Sequence, residues 1–178
     1  LDCKCQLKLQ RHVPQTPKFP VIDIHTHFGK LFGVMVNSDH YFDLYRTKDV
    51  IAQIKSYGVK RIVNLDGGYG DDYLRMMDKM RGTEDFVVHF GQVDLTGFES
   101  AGFETEVYTT VKAHYQNGIK GLKFWKNIGL GIKDSAGKYL RPDDKRLMCI
   151  WRAAAEFHMP VMFHIGDLNA FFCPADQD

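Results

Sequence analysis

The sequence predicts an α/β chain of the (β/α)8 TIM-barrel type, cut after about strand five, and three observations lead there. Strand-like apolar runs alternate with helix-like stretches throughout, the pattern of parallel strands joined by right-handed crossovers. The units recur about every 35 residues, near the roughly 30 of a closed barrel, but 178 residues fall short of the roughly 250 that a whole barrel needs. Polar residues gather at the carboxyl ends of the strands, where barrels place reactive groups, whereas an open doubly wound sheet keeps both strand faces apolar.

Residues 1–18 carry prolines and no sustained period, and read as an N-terminal arm. Residues 19–178 then form the partial barrel. Val21-Ile22-Asp23-Ile24-His25-Thr26-His27 has the β-branched content of a buried first strand. A loop from Gly29 to Arg46 follows, longer than a plain connection requires. Thr47 can cap a helix whose Val50, Ile51, Ile54 and Tyr57 keep helical spacing, with Gly58 to end it. Arg61–Leu65 reads as strand two, and Asp71 opens a helix carrying Tyr73, Met76, Met77 and Met80 as packing residues.

Phe86–Val93 reads as strand three, and Glu104–Asn117 as a helix with Val107, Val111 and Tyr115 on one face. Gly121–Trp125 is strand four. Pro142 and Asp143 start a helix with Leu147, Ile150, Trp151 and Ala154 inward, and Pro160 launches strand five, ending in His164.

With 23 basic against 22 acidic side chains, no chain-wide field favours nucleic acid or an anionic membrane. No apolar stretch approaches the roughly 18 residues of a membrane span. A small-molecule substrate is therefore the expected partner. Cys3, Cys5, Cys149 and Cys173 are too scattered for a disulfide scaffold, and the compartment is left open.

Side chains alternate along a strand, so Asp23, His25 and His27 share one face, and two imidazoles rooted roughly 7 Å apart can converge on one ion. His164 closes a later strand at the same mouth. By the same alternation Ile62, Asn64 and Asp66 share a face, as do Gly121, Lys123 and Trp125, and Met162, His164 and Gly166, giving one face that turns polar toward its carboxyl end. His25, His27 and His164 are accordingly the candidate metal ligands.

Lys123 faces the interior, where an uncompensated ammonium is costly. Three readings stand side by side: a carboxylated lysine bridging metals, a cation steering an acidic substrate, or a salt bridge to Asp23 or Asp66. Asp66-Gly67-Gly68-Tyr69-Gly70 reads as a turn that lets backbone approach a ligand, which makes Asp66 a candidate substrate contact. Trp125 and Lys126 lie where barrel loops meet substrate, although Lys126 is equally well placed to be solvated. His12, His40, His89, His114 and His158 lack such context and read as surface or packing residues.

Taken jointly, Val21–His27, Gly121-Leu122-Lys123-Phe124-Trp125-Lys126-Asn127-Ile128-Gly129-Leu130, Asp134–Lys138 and Pro160-Val161-Met162-Phe163-His164-Ile165-Gly166-Asp167 resemble the amidohydrolase superfamily. The nearest branch is the amidohydrolase-related group, which includes metal-dependent decarboxylases and lactonases. The resemblance implies zinc, with manganese as the alternative, held by His25, His27 and His164. It also marks Asp167, in a loop with Phe171 and Phe172, as a catalytic or substrate contact.

The implied reaction is hydrolysis of an amide or lactone of a small, acidic substrate by a metal-activated water. Decarboxylation on the same ligands is the alternative, and a catalytically silent fragment or metal-binding module is a third reading. In this family a strand-six histidine and a strand-eight aspartate complete the site. Neither appears before Asp178, so weak turnover and self-association through an open sheet edge are expected of the chain as it stands.

Overall fold

The computed structural model describes residues 16–38 and 40–165, excepting the Tyr41 side chain. Cys3, Cys5, His12, Asp167, Phe171, Phe172 and Cys173 lie outside the described residues. The described chain is a five-stranded, all-parallel sheet in the order β1-β2-β3-β4-β5, curled as half a barrel. The strands are β1 Val21–Thr26, β2 Val59–Asn64, β3 Val87–Gly91, β4 Gly121–Phe124 and β5 Val161–Phe163. Strand order equal to chain order is what repeated right-handed βα units produce.

The helices are α1 Lys30–Met35, α2 Thr47–Ser56, α3 Gly70–Lys79, α4 Phe103–Gln116, the irregular turn α5 Asn127–Leu130 and α6 Met148–Glu156. Outside the sheet, Leu122, Phe124, Val161 and Phe163 pack on Val107 and Val111 of α4 and Ile150, Ala153 and Ala154 of α6. Trp151 sets its ring edge against Phe124 and Phe163, 5.2 and 5.3 Å away. A second outer cluster joins Ile51 of α2 to Ile62, Phe86 and Val87.

Several boundaries differ from expectation for local reasons. The long loop after β1 contains α1 and a 3-10 turn at Tyr41–Asp43. Thr47 is the first helical residue rather than the cap, and its hydroxyl donates to the Lys79 carbonyl at 3.0 Å. Pro142 and Asp143 do not start the sixth helix: Asp144 accepts from the Arg146 N–H, a 3-10 turn covers Lys145–Leu147, and α6 follows. On α4, Tyr115 is 51% exposed, and His114 takes the buried position beside Val111.

The face assignment of β2 also needs correction. Register pairs Val63 with Val88 and Phe90 with Gly121, and Val63, Leu65 and Phe90 form the small inner cluster with Val88 and Met162. Ile62 packs outward on α2, and its face-mate Asn64 pairs with His89 of β3. Asn64 therefore does not share the inner face of Lys123. From Val63 onward this inner face is apolar, and the polar groups near it are reached from the end of β2.

Asp66-Gly67-Gly68 is likewise shaped by the neighbouring strand. A Cβ on Gly67 would land on the Phe90 carbonyl, to which Gly67 N–H donates at 3.0 Å. Glycine is required at position 67 by backbone contact with β3. Among the described residues, no helix is long and apolar enough to cross a membrane.

Candidate functional site

The carboxyl ends of β1, β2, β4 and β5 bring the candidate residues to one mouth. β1 skips register between Val21 and Ile22 and again between Asp23 and Thr26. Its end is pinned by the Thr26 hydroxyl on the Val63 carbonyl at 2.9 Å and by Phe28 N–H on the Asn64 side chain at 3.1 Å. His25 and His27 follow from this anchoring, with ring centroids 5.1 Å apart and edge to face. Asp23 turns to accept the His25 backbone N–H at 2.9 Å.

Asp66 sits behind His27. One carboxylate oxygen lies 2.8 Å from His27 Nδ1, while the other accepts Gly29 N–H at 3.0 Å and Phe32 N–H at 3.4 Å. A carboxylate can only accept, so Nδ1 carries a proton, and in the neutral imidazole the lone pair is left on Nε2. Gly29 is needed because a side chain there would collide with Asp66 and Met76, each 2.7 Å from a built Cβ. His27 is thus oriented by a carboxylate whose approach depends on a glycine.

A buried polar pair underpins this arrangement. Asn64, fully buried, accepts Phe28 and Asp66 N–H groups and donates to His89 Nδ1 at 3.1 Å. Burial pushes the His89 imidazole down to about 4, against a small pull from Glu84, so it is neutral at pH 7. His89 is a packing histidine, as its sequence context implies.

Lys123 is 1% exposed, on the inner face of β4. Among the described residues, no carboxylate lies within ion-pairing distance of its Nζ, which removes the salt bridge to Asp23 or Asp66 from the three readings. Its Nζ stands 5.5 Å from the centre of the Trp125 ring. Burial holds its pKa below the usual lysine range, with the field of Asp66 opposing.

Trp125 links the two sides of the mouth. Its ring stacks on His27 at 5.7 Å and tilts against His164 at 5.8 Å, while His164 N–H extends the ladder to the Phe124 carbonyl at 3.0 Å. His25 feels all of these groups: burial lowers its pKa first, then Lys123, His27 and His164, and Asp23 works in the opposite direction. Among the described residues, no three His, Cys, Asp or Glu side chains are drawn together closely enough to hold an ion. His25 and His27 form a pair, and His164 stands against Trp125.

Two hollows flank Trp125, of about 510 and 520 Å³. Asp66 borders the second, Lys123 the first, and Tyr69, Gln92 and Trp125 both. Lys126 is half-buried just before α5. Sequence reasoning missed Gln92, whose carbonyl accepts His114 Nε2–H at 2.9 Å and whose N–H donates to the Gly68 carbonyl at 2.9 Å. Nothing in its sequence context marks it, because it is held through backbone. A larger hollow of about 690 Å³ between the starts of α4 and α6, near Cys149 and Arg152, lacks the histidines.

Compared with protein-family models, with curated proteins and with solved structures, the chain matches none.

Proposed function

We propose that the chain carries part of a (β/α)8-type metal-dependent hydrolase of the amidohydrolase kind, acting on an amide or lactone carbonyl of a small acidic substrate. The observation that carries this reading is the His27–Asp66 contact at 2.8 Å, at the mouth where the His25 ring stands 5.1 Å away. A carboxylate holding Nδ1 and leaving Nε2 with a free lone pair is the arrangement that metal-ligating histidines use.

His25 and His27 offer two nitrogen donors of the kind zinc and manganese take, and His164, which stands against Trp125, would complete the set only by moving toward them. When bound, such an ion supplies Lewis-acid polarisation of a carbonyl and activation of water. The chain itself does the rest. Asp66 fixes the His27 tautomer, Trp125 offers a flat apolar wall that excludes solvent, and Gln92 and Tyr69 border both hollows in which a substrate could be placed.

Metal content and calorimetric titration with zinc test this reading. Near-stoichiometric binding is expected, abolished in His27→Ala. His158→Asn is the control, since His158 is exposed and has a left-handed φ of 53° that Asn tolerates. Equal zinc binding by both variants would remove the proposed site.

A further inference from the structure

The Lys123 side chain is buried to 1% exposure, has no carboxylate within pairing distance among the described residues, and borders a hollow of about 510 Å³. We propose that the Lys123 amine is a nucleophile that condenses reversibly with the carbonyl of a small aldehyde or ketone held in this hollow beside Trp125, forming an imine. This activity goes beyond the hydrolase reading and needs no metal.

A buried ammonium without a counter-ion is destabilised relative to the neutral amine, and a desolvated neutral lysine is the form that attacks carbonyl carbon. Of the charged and titratable groups facing Lys123, Asp66 beyond β2 favours the ammonium without reaching contact. On β1, His25 has its pKa lowered by burial and then by the Lys123 charge. The Trp125 ring centre, 5.5 Å from Nζ, supplies an apolar wall for the carbon skeleton, while Gln92, Asn127 and Asp94 border the same hollow with polar groups. That volume lies within the range of small-molecule sites.

The step balances without an oxidant or reductant. The Nζ lone pair forms a C–N bond as the carbonyl π pair moves to oxygen, and a proton passes from nitrogen to that oxygen. The C–O bond then breaks, the oxygen leaves as water with a proton from solvent, the nitrogen lone pair closes the C=N bond, and the remaining N–H proton returns to solvent to leave the imine.

The test is reductive trapping of the full chain with acetaldehyde and cyanoborohydride at pH 6.5, in bicarbonate-free buffer containing EDTA, read by peptide mass spectrometry. Lys123 should be alkylated at least about tenfold faster than exposed Lys112 and Lys120, a preference that vanishes in urea. Labelling of Lys123 no faster than Lys120, or a preference that persists in urea, would overturn the proposal. Because the trapping buffer contains EDTA, labelling is read with no metal bound, while zinc binding is measured on the same protein by calorimetry, so loss of zinc binding and loss of imine formation are read separately.

Discussion

His27 and Asp66 meet through Nδ1 and a carboxylate oxygen at 2.8 Å, although 39 residues separate them in sequence. The contact crosses from the end of β1 to the turn after β2, so both strands must be in register before the imidazole is aimed. Asp66→Asn places an amide where the carboxylate stood and removes the reason for the proton to sit on Nδ1. Zinc affinity should fall by about 10- to 100-fold, measured by competition with a chromophoric chelator, while the melting temperature changes little.

His89 should govern part of the acid stability. Its folded pKa of about 4 lies below the unfolded value near 6.5, so its contribution is complete above pH 6.5 and is lost as the pH falls toward 4. The loss should total about 3 kcal/mol in urea unfolding across that window. His89→Gln should flatten the slope there.

Gly67→Ala should destabilise the fold by about 3 kcal/mol, because the added methyl meets Phe90 backbone that cannot move without breaking the β2–β3 ladder. Gly82→Ala is the comparison: it sits at a φ of 80° with open space around it and should cost only about 1 kcal/mol. Chemical denaturation midpoints of the two variants check the order.

Ile22 and Ile24 on edge strand β1 are each 58% exposed. Such apolar edges pair with other chains. The wild-type chain should self-associate in light scattering at tens of micromolar, and Ile24→Lys should shift it toward monomer by at least about tenfold in dissociation constant.

Alternation of strand and helix was legible because each βα unit repeats the same local signals, and Gly58, with φ of 80°, closes α2 as its position implies. The face of β2 was not legible. A period of two says that Ile62 and Asn64 share a side, but only packing on Ile51 tells which side that is. His25, His27, Trp125 and His164 were readable as residue types at strand ends, but not the order of their rings, in which Trp125 contacts both His27 and His164. The pairing of Lys123 was not, since sequence gives neither the distance to Asp66 nor the wall that Trp125 provides. Gln92 and the Asn64–His89 pair act through backbone or through contacts 25 residues apart, which no local pattern reports.

The register skip between Asp23 and Thr26 gives β1 one residue more than β2 over the same span, while Thr26 and Phe28 are tied to β2. Exchanges at positions 22 and 24 alter only exposed surface, and a residue lost from the bulge leaves a regular ladder, whereas losing one between Thr26 and Phe28 would pull His27 away from Asp66. Drift in this segment should therefore spare the spacing at its end, so that a chain descended from this one keeps the interval from Thr26 to Phe28 long after the letters before it have changed.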